Sequence, residues 1–305
     1  MPNKLLPVVF MLSSTASLSI TGLLTKYLTT VLPLSLLSVL RFAIPSLILL
    51  VFLALTQLRM PTRNMYKPLA MRALCLAACQ LCFIYSLQHL TLVESVVLFS
   101  TGPLFIPLLE KLFFGVRMPW TTLAGLVSTF TGVVMLSGSV GHVEWRPELM
   151  SGLLAGVLNA ASQLCLYRVS KSNMRSVDIN LWSLGIASIV LLPMLALVPW
   201  QAAAQLTFNP QVLVIAGSLL AVSLLVINTQ IFRSKAYRLA ESGSQLAPLI
   251  FTNLLFSAVL QVVFFDVQYS PVQNLGLLLI VVATMMTNVL PMLWKAATAH
   301  KLHSA

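Results

Sequence analysis

The chain has 305 residues, of which 58% are hydrophobic and only 8% charged, too little polar surface to cover a water-soluble fold of that size. Its net charge of +11 would point to nucleic acid in a soluble protein. Here the basic residues are dispersed over short loops between apolar runs, so nucleic acid is excluded as a partner and anionic lipid headgroups are favoured.

A bilayer crossing needs about 20 mostly apolar residues, and ten such spans are predicted, near 5–25, 31–56, 69–89, 92–112, 119–139, 149–169, 178–198, 211–231, 242–264 and 272–294. Span one follows Lys4 and superficially resembles a secretory leader, but the run from Met11 to Ile20 lacks a convincing small-residue cleavage site and continues, so it is read as a retained span. It carries the polar series Ser13, Ser14, Thr15, Ser17, Ser19 and Thr21. Span two contains Arg41 about ten residues in, roughly 15 Å deep at 1.5 Å per residue and too deep to snorkel. Span three carries Cys75, Cys79 and Cys82. On a helix the outer two of these lie about 10 Å apart along the axis, so the three thiolates cannot converge on one cluster and are small packing residues. Cys165 stands alone in span six, and no disulfide framework follows.

Glu94 begins span four after the short turn His89–Val93. It is read either as a carboxylate that titrates or compensates Arg41, or as a solvated acid favoured by a helix start. Glu110 beside Lys111, and Glu241 near Arg238, read as interfacial residues. Asn159, Gln163 and Tyr167 recur at four-residue spacing on span six, as do Asn253, Ser257 and Gln261 on span nine. Polar faces avoid lipid and should point inward, as binding groups or as interhelical hydrogen-bond partners. Tyr85, Phe99 and Trp182 are aromatic candidates for stacking on a solute, with packing as their alternative role.

Positive residues are retained on the cytoplasmic side of short membrane loops. Fifteen of the 18 Lys and Arg fall in alternate gaps between the spans, against only Lys26 and Arg146 on the other face. That alternation gives ten crossings with both termini cytoplasmic. Arg41 alone belongs to neither face. An ionisable group inside a membrane is costly and is a functional candidate by default: a cation that meets an anionic group of a solute, or a tie between helix ends.

Phe113–Pro119 (FFGVRMP) is echoed by Phe264–Pro271 (FFDVQYSP), each closing a fourth span and opening a fifth. This suggests a duplicated five-span unit, residues 1–145 and 146–305. Since five is odd, the copies enter the membrane in opposite senses, the inverted-repeat plan of secondary transporters with a site near the midplane. The expected fold is therefore all-α and integral to the membrane.

The segment from Tyr85 to Leu136 resembles the last part of an EamA repeat of the drug/metabolite transporter superfamily. The opening, with Gly22, Lys26, Pro33 and LRFAIPSLILL from Leu40, is similar to its first part, and Glu241–Val267 to the matching stretch of a second repeat. An acidic residue common after the Phe-Gly corner is Val116 here, while Asp266 stands near the equivalent place in the second half. The resemblance implies a secondary-active inner-membrane transporter, an exporter of small organic metabolites such as amino acids or their analogues working by alternating access. Its alternative is uptake or exchange of a larger, nucleotide-linked compound. It also implies an Arg at the position of Arg41.

No catalytic, metal or cofactor constellation is evident: His89, His142, His300 and His303 are scattered and there is no phosphate-cradling loop. An intramembrane enzyme or a non-transporting receptor is the weaker reading. Expected partners are a small organic solute, membrane lipid, a coupling proton or exchanged solute, and a second copy of the chain as a homodimer. The expected solute-binding set is Arg41, Tyr85, Glu94, Asn159, Gln163, Tyr167, Trp182 and Asn253. Reporter fusions after Lys67, Lys171 and Lys301 should all read cytoplasm; a periplasmic signal at any of them breaks the ten-span plan.

Overall fold

A computed structural model describes residues 5–90, 92–115, 120–137, 147–197, 210–240, 246, 249–250, 252–265, 270–284 and 286. The described helices are α1 (Leu6–Val31), α2 (Leu34–Leu55), α3 (Tyr66–His89), α4 (Leu92–Phe99), α5 (Gly102–Phe114), α6 (Trp120–Ser137), α7 (Pro147–Ser170), α8 (Ser176–Leu191), α9 (Pro210–Leu239), α10 (Thr252–Phe265) and α11 (Pro271–Thr284). Short 3-10 turns at Arg63–Met65 and Leu192–Leu197 precede α3 and follow α8. No strand occurs among the described residues. In hydrocarbon every backbone N–H and C=O must be paired within the chain, and a helix does this locally.

Proline marks where these helices begin. Pro33 is the N-cap of α2, Pro7 and Pro103 sit in the first turns of α1 and α5, and Pro147, Pro210 and Pro271 open α7, α9 and α11. The missing N–H is unpaired at a first turn in any case. At the other end of α5, Gly115 adopts φ 65° and its N–H bonds the Lys111 carbonyl at 3.1 Å, the left-handed stop that glycine takes most readily.

Six helical runs among the described residues are long and apolar enough to cross a membrane: Leu6–Val31, Leu34–Leu55, Arg63–His89, Pro147–Ser170, Ser176–Ala196 and Val212–Leu239. The expected fourth span departs from a single helix and is divided into α4 and α5. Pro103 has no N–H to offer the Phe99 carbonyl and its ring crowds the preceding turn. The chain closes the break locally: the Ser100 and Thr101 N–H groups bond the carbonyls of Val96 (2.8 Å) and Leu98 (3.1 Å), and Thr101 Oγ1 donates to Leu98 O at 2.7 Å.

Packing follows an approximate two-fold exchange between the halves. The third pass of each half lies against the first pass of the other, α3 on α7 and α9 on α1. The fourth passes do likewise, α4 and α5 on α7 and α10 on α1, while α2 meets α8 and α6 meets α11. The chain is thus an all-helical bundle of two inverted five-helix repeats. Apolar side chains such as Leu47, Phe52, Leu213 and Val263 remain exposed on the outside, the surface expected to meet lipid. Small residues let the halves approach closely. A Cβ on Gly102 would come within 2.7 Å of the Gly156 carbonyl, and one on Gly156 within 2.7 Å of Thr101 Oγ1.

Gly102→Ala and Gly156→Ala should each destabilise the protein by about 1–3 kcal/mol through overpacking, read as a lower melting temperature in detergent. Gly185→Ala, where nothing lies within 4 Å of the added carbon, should leave the melt unchanged or slightly raised.

Candidate functional site

A cavity opens where the two halves meet, with walls from α1, α2, α3, α4, α7, α9 and α10. It holds ≈ 740 Å³ of space free of atoms, its open side included. Two cations line it, Arg41 from α2 and Arg233 from α9. Neutral polar groups come from Thr21, Gln80, Asn159, Thr229, Gln230, Asn253 and Ser257, and no acidic side chain lines it among the described residues.

Arg41 lies two turns into α2, roughly 10 Å past the helix start at 1.5 Å per residue. That is shallower than its place in the predicted span, because Pro33 delays the helix to Leu34. The side chain is only 5% exposed and its Nε and Nη1 have no protein acceptor. The face of Phe83 lies 5.9 Å from the guanidinium carbon, and Phe83 packs on Phe99 with ring centroids 4.8 Å apart. This aromatic pair gives partial electrostatic compensation without ion pairing.

Two further arginines occupy the interior, which corrects their reading as loop charges. α9 runs on to Leu239, eight residues past the predicted end of that span, so Arg233 is drawn inside, 2% exposed, with Nε and Nη2 unpartnered. α3 starts at Tyr66, and Arg72, near the start of the predicted span, is fully inside at 0% exposure. Arg72 is held very differently from the other two. Its Nη1 donates to Ser183 Oγ at 2.9 Å, and its Nη2 to Asn180 Oδ1 at 2.9 Å and Gln230 Oε1 at 3.0 Å. These neutral acceptors on α8 and α9 tie three helices together beside the cavity. The signal for Arg233 was present as a helical stripe, Val226, Thr229, Gln230 and Arg233, at three- and four-residue spacing.

Of the predicted set, Arg41, Asn159 and Asn253 meet at the cavity, joined by Phe99. Asn159 Oδ1 accepts from Gln163 Nε2 at 3.2 Å, so Gln163 stands behind the wall and supports it. Asn253 accepts from Ser19 Oγ through both its side-chain oxygen (2.7 Å) and its carbonyl (2.9 Å). Other members of the span-one series bind helices together: Ser14 Oγ donates to the Thr229 carbonyl at 2.9 Å, and Thr15 Oγ1 meets Thr252 Oγ1 at 2.8 Å.

Tyr85, Tyr167 and Trp182 stand apart from the cavity. Tyr85 packs on His89 with ring centroids 4.6 Å apart, Tyr167 meets Tyr237 edge-on at 6.0 Å, and Trp182 Nε1 donates to the Arg59 carbonyl at 3.1 Å. Glu110 is buried among the helices. Glu94 belongs to α4, but its side chain lies outside the described residues, as do Glu241, Asp266 and the side chain of Gln261.

Lysine and arginine also close the helix ends. Lys171 Nζ donates to the carbonyls of Arg238 (3.1 Å) and Ala240, and Arg238 Nε to the carbonyl of Ser170 at 3.0 Å. At the opposite end Lys26 Nζ donates to the carbonyls of Leu87 and Leu90 (2.8 Å). Cations suit these positions because the last carbonyls of a helix lack partners and carry the negative end of its dipole.

The sequence matches the EamA-like transporter family over residues 5–138 and 147–289. Among curated proteins it is similar to the pseudopaline exporter CntI of Pseudomonas aeruginosa, in two strains, with 24% identity over 177 residues. That match spans 58% of this chain and 59% of the exporter, less than two thirds of the relative's length. A solved crystal structure of a protein superposes with a TM-score of 0.67 at 18% identity, covering 93% of this chain and 97% of the other, and so supports the fold.

Arg72→Ala strands the Ser183, Asn180 and Gln230 acceptors in the interior. It should cost about 2–4 kcal/mol, since orphaned buried polar groups lose their full desolvation penalty. The loss should show as a lower melting temperature in detergent than that of Arg41→Ala, which strands no protein acceptor identified in the structure.

Proposed function

The chain belongs to the EamA-like transporter family and is a multi-pass membrane transporter; from that premise we propose that it exports a small organic metabolite bearing a carboxylate, amino acids and their analogues included. Transport is secondary-active, driven by a proton gradient or by exchange, across the inner membrane with both termini in the cytoplasm. The observation that carries this reading is Arg41, a buried guanidinium on the wall of a cavity between inverted repeats, with two nitrogens left without a protein acceptor.

An empty cavity leaves that charge poorly compensated, at a cost of several kcal/mol for a cation at membrane depth. A carboxylate arriving there replaces lost hydration with charge-assisted hydrogen bonds, whose planar fork geometry a guanidinium matches well. The bound solute bridges α2 of the first repeat to helices of the second, and its differential contacts with the two arrangements shift their populations. Alternating access is then a rocking of one repeat against the other around the site. The export direction draws support from the exporter to which the chain is similar.

Proteoliposomes loaded with a mixture of amino and organic acids should show protein-dependent efflux of at least one carboxylate. Arg41→Ala should lower that flux at least tenfold while the melting temperature stays within a few degrees of the parent. Absence of any protein-dependent flux under proton or counter-solute gradients would sink the transporter reading for carboxylates, and collapse of the fold in Arg41→Ala would move Arg41 to a structural role.

A further inference from the structure

We propose that the transported solute carries two separate acidic groups, one held by Arg41 and the other by Arg233. This deepens the transport reading above and rests on it. The two arginines come from opposite repeats, α2 and α9, yet line one cavity. Both are almost fully buried, and each keeps two nitrogens without a protein acceptor, Nε and Nη1 of Arg41 and Nε and Nη2 of Arg233.

Arg72 provides an internal comparison. It is buried beside the same cavity, but three neutral acceptors hold its two terminal nitrogens. The Nε of Arg72 is also unpartnered, but both of its terminal nitrogens are held by protein acceptors, whereas Nη1 of Arg41 and Nη2 of Arg233 have none. Cys79 lines the same cavity and gives its own thiol proton to the Ala155 carbonyl at 3.3 Å. It therefore neutralises neither.

A solute with one carboxylate satisfies one guanidinium and leaves the other charge buried and unmet. A zwitterion does worse, because its ammonium enters a cavity with two cations and no acidic lining residue among those described. A diacid meets both charges, and the amides of Gln80, Asn159 and Asn253 offer neutral contacts for the chain between its acidic ends.

The test compares the series succinate, glutarate, adipate and pimelate, each with its monomethyl ester and with leucine, in thermal melts of the purified full-length protein. At least one diacid should stabilise the protein by mass action, with a half-saturating concentration at least tenfold below that of its own ester. Arg233→Gln should raise the diacid value to that of the ester while leaving the ester value unchanged. Equal concentrations for diacid and ester, or no stabilisation by any diacid, would overturn the proposal. So would an Arg233→Gln variant that weakens diacid and ester alike. If that variant fails to fold, the comparison of diacid with ester on the parent protein decides alone. Flux measured in parallel keeps the two readings distinct: efflux of monoacids with no preference for diacids overturns only the two-point site, whereas absence of all flux removes the transport reading beneath it.

Discussion

Guanidinium charges buried in a helical membrane bundle, with no acidic residue on their cavity among the described residues, are the constraint around which this protein is organised. A charge at that depth costs several kcal/mol unless it is hydrated or hydrogen-bonded. The chain meets the cost in two ways. Arg72 is surrounded by side-chain oxygens of Ser183, Asn180 and Gln230, which makes it a rivet among α3, α8 and α9. Arg41 and Arg233 retain unpartnered nitrogens where the halves leave a cavity. The same residue type thus ties helices together in one place and lines a cavity in the other, and the difference lies in the acceptors its terminal nitrogens find.

The inverted packing explains why that cavity is central. Each half lays its third and fourth passes on the first pass of the other, so neither repeat has a core of its own to retreat into. The first pass of each half is polar where it is gripped: Ser14, Thr15 and Ser19 bond α9 and α10, and Asn159 with Gln163 occupies the corresponding helix of the second half. Interhelical bonds of this type are worth about 0.6–2 kcal/mol each in a membrane, enough to set register and weak enough to be exchanged.

Much of this was legible in the residues. Hydropathy, the alternation of loop charges and the Phe-Phe corners of Phe113 and Phe264 describe ten passes in two opposed copies, because membrane thickness and backbone pairing leave few alternatives. Arg41 was visible because an apolar run flanks it on both sides. Arg72 and Arg233 escaped notice because each falls near a span end, where a basic residue ordinarily belongs to a loop. Arg233 is brought inside by the extension of α9 beyond its hydrophobic stretch, and Arg72 by the acceptors that α8 and α9 present to it. The division of the fourth span was less legible, since Pro103 alone is tolerated in many membrane helices. Tyr85, Tyr167 and Trp182 could not be placed from type alone, because an aromatic ring serves packing as readily as binding.

The break between α4 and α5 also has a consequence for backbone solvation. Pro103 brings no N–H to the Phe99 carbonyl, which in lipid would leave an acceptor unmet. The site where a side chain would project from Gly156 lies 3.1 Å from that oxygen and 3.0 Å from the Leu98 carbonyl. A glycine presents a polarised C–H there, a weak donor whose contact recurs where helices pack closely. A side chain there would push α7 away from those oxygens. Gly156 therefore lets the backbone of α7 approach the interrupted turn closely, so the break is covered by a neighbouring helix.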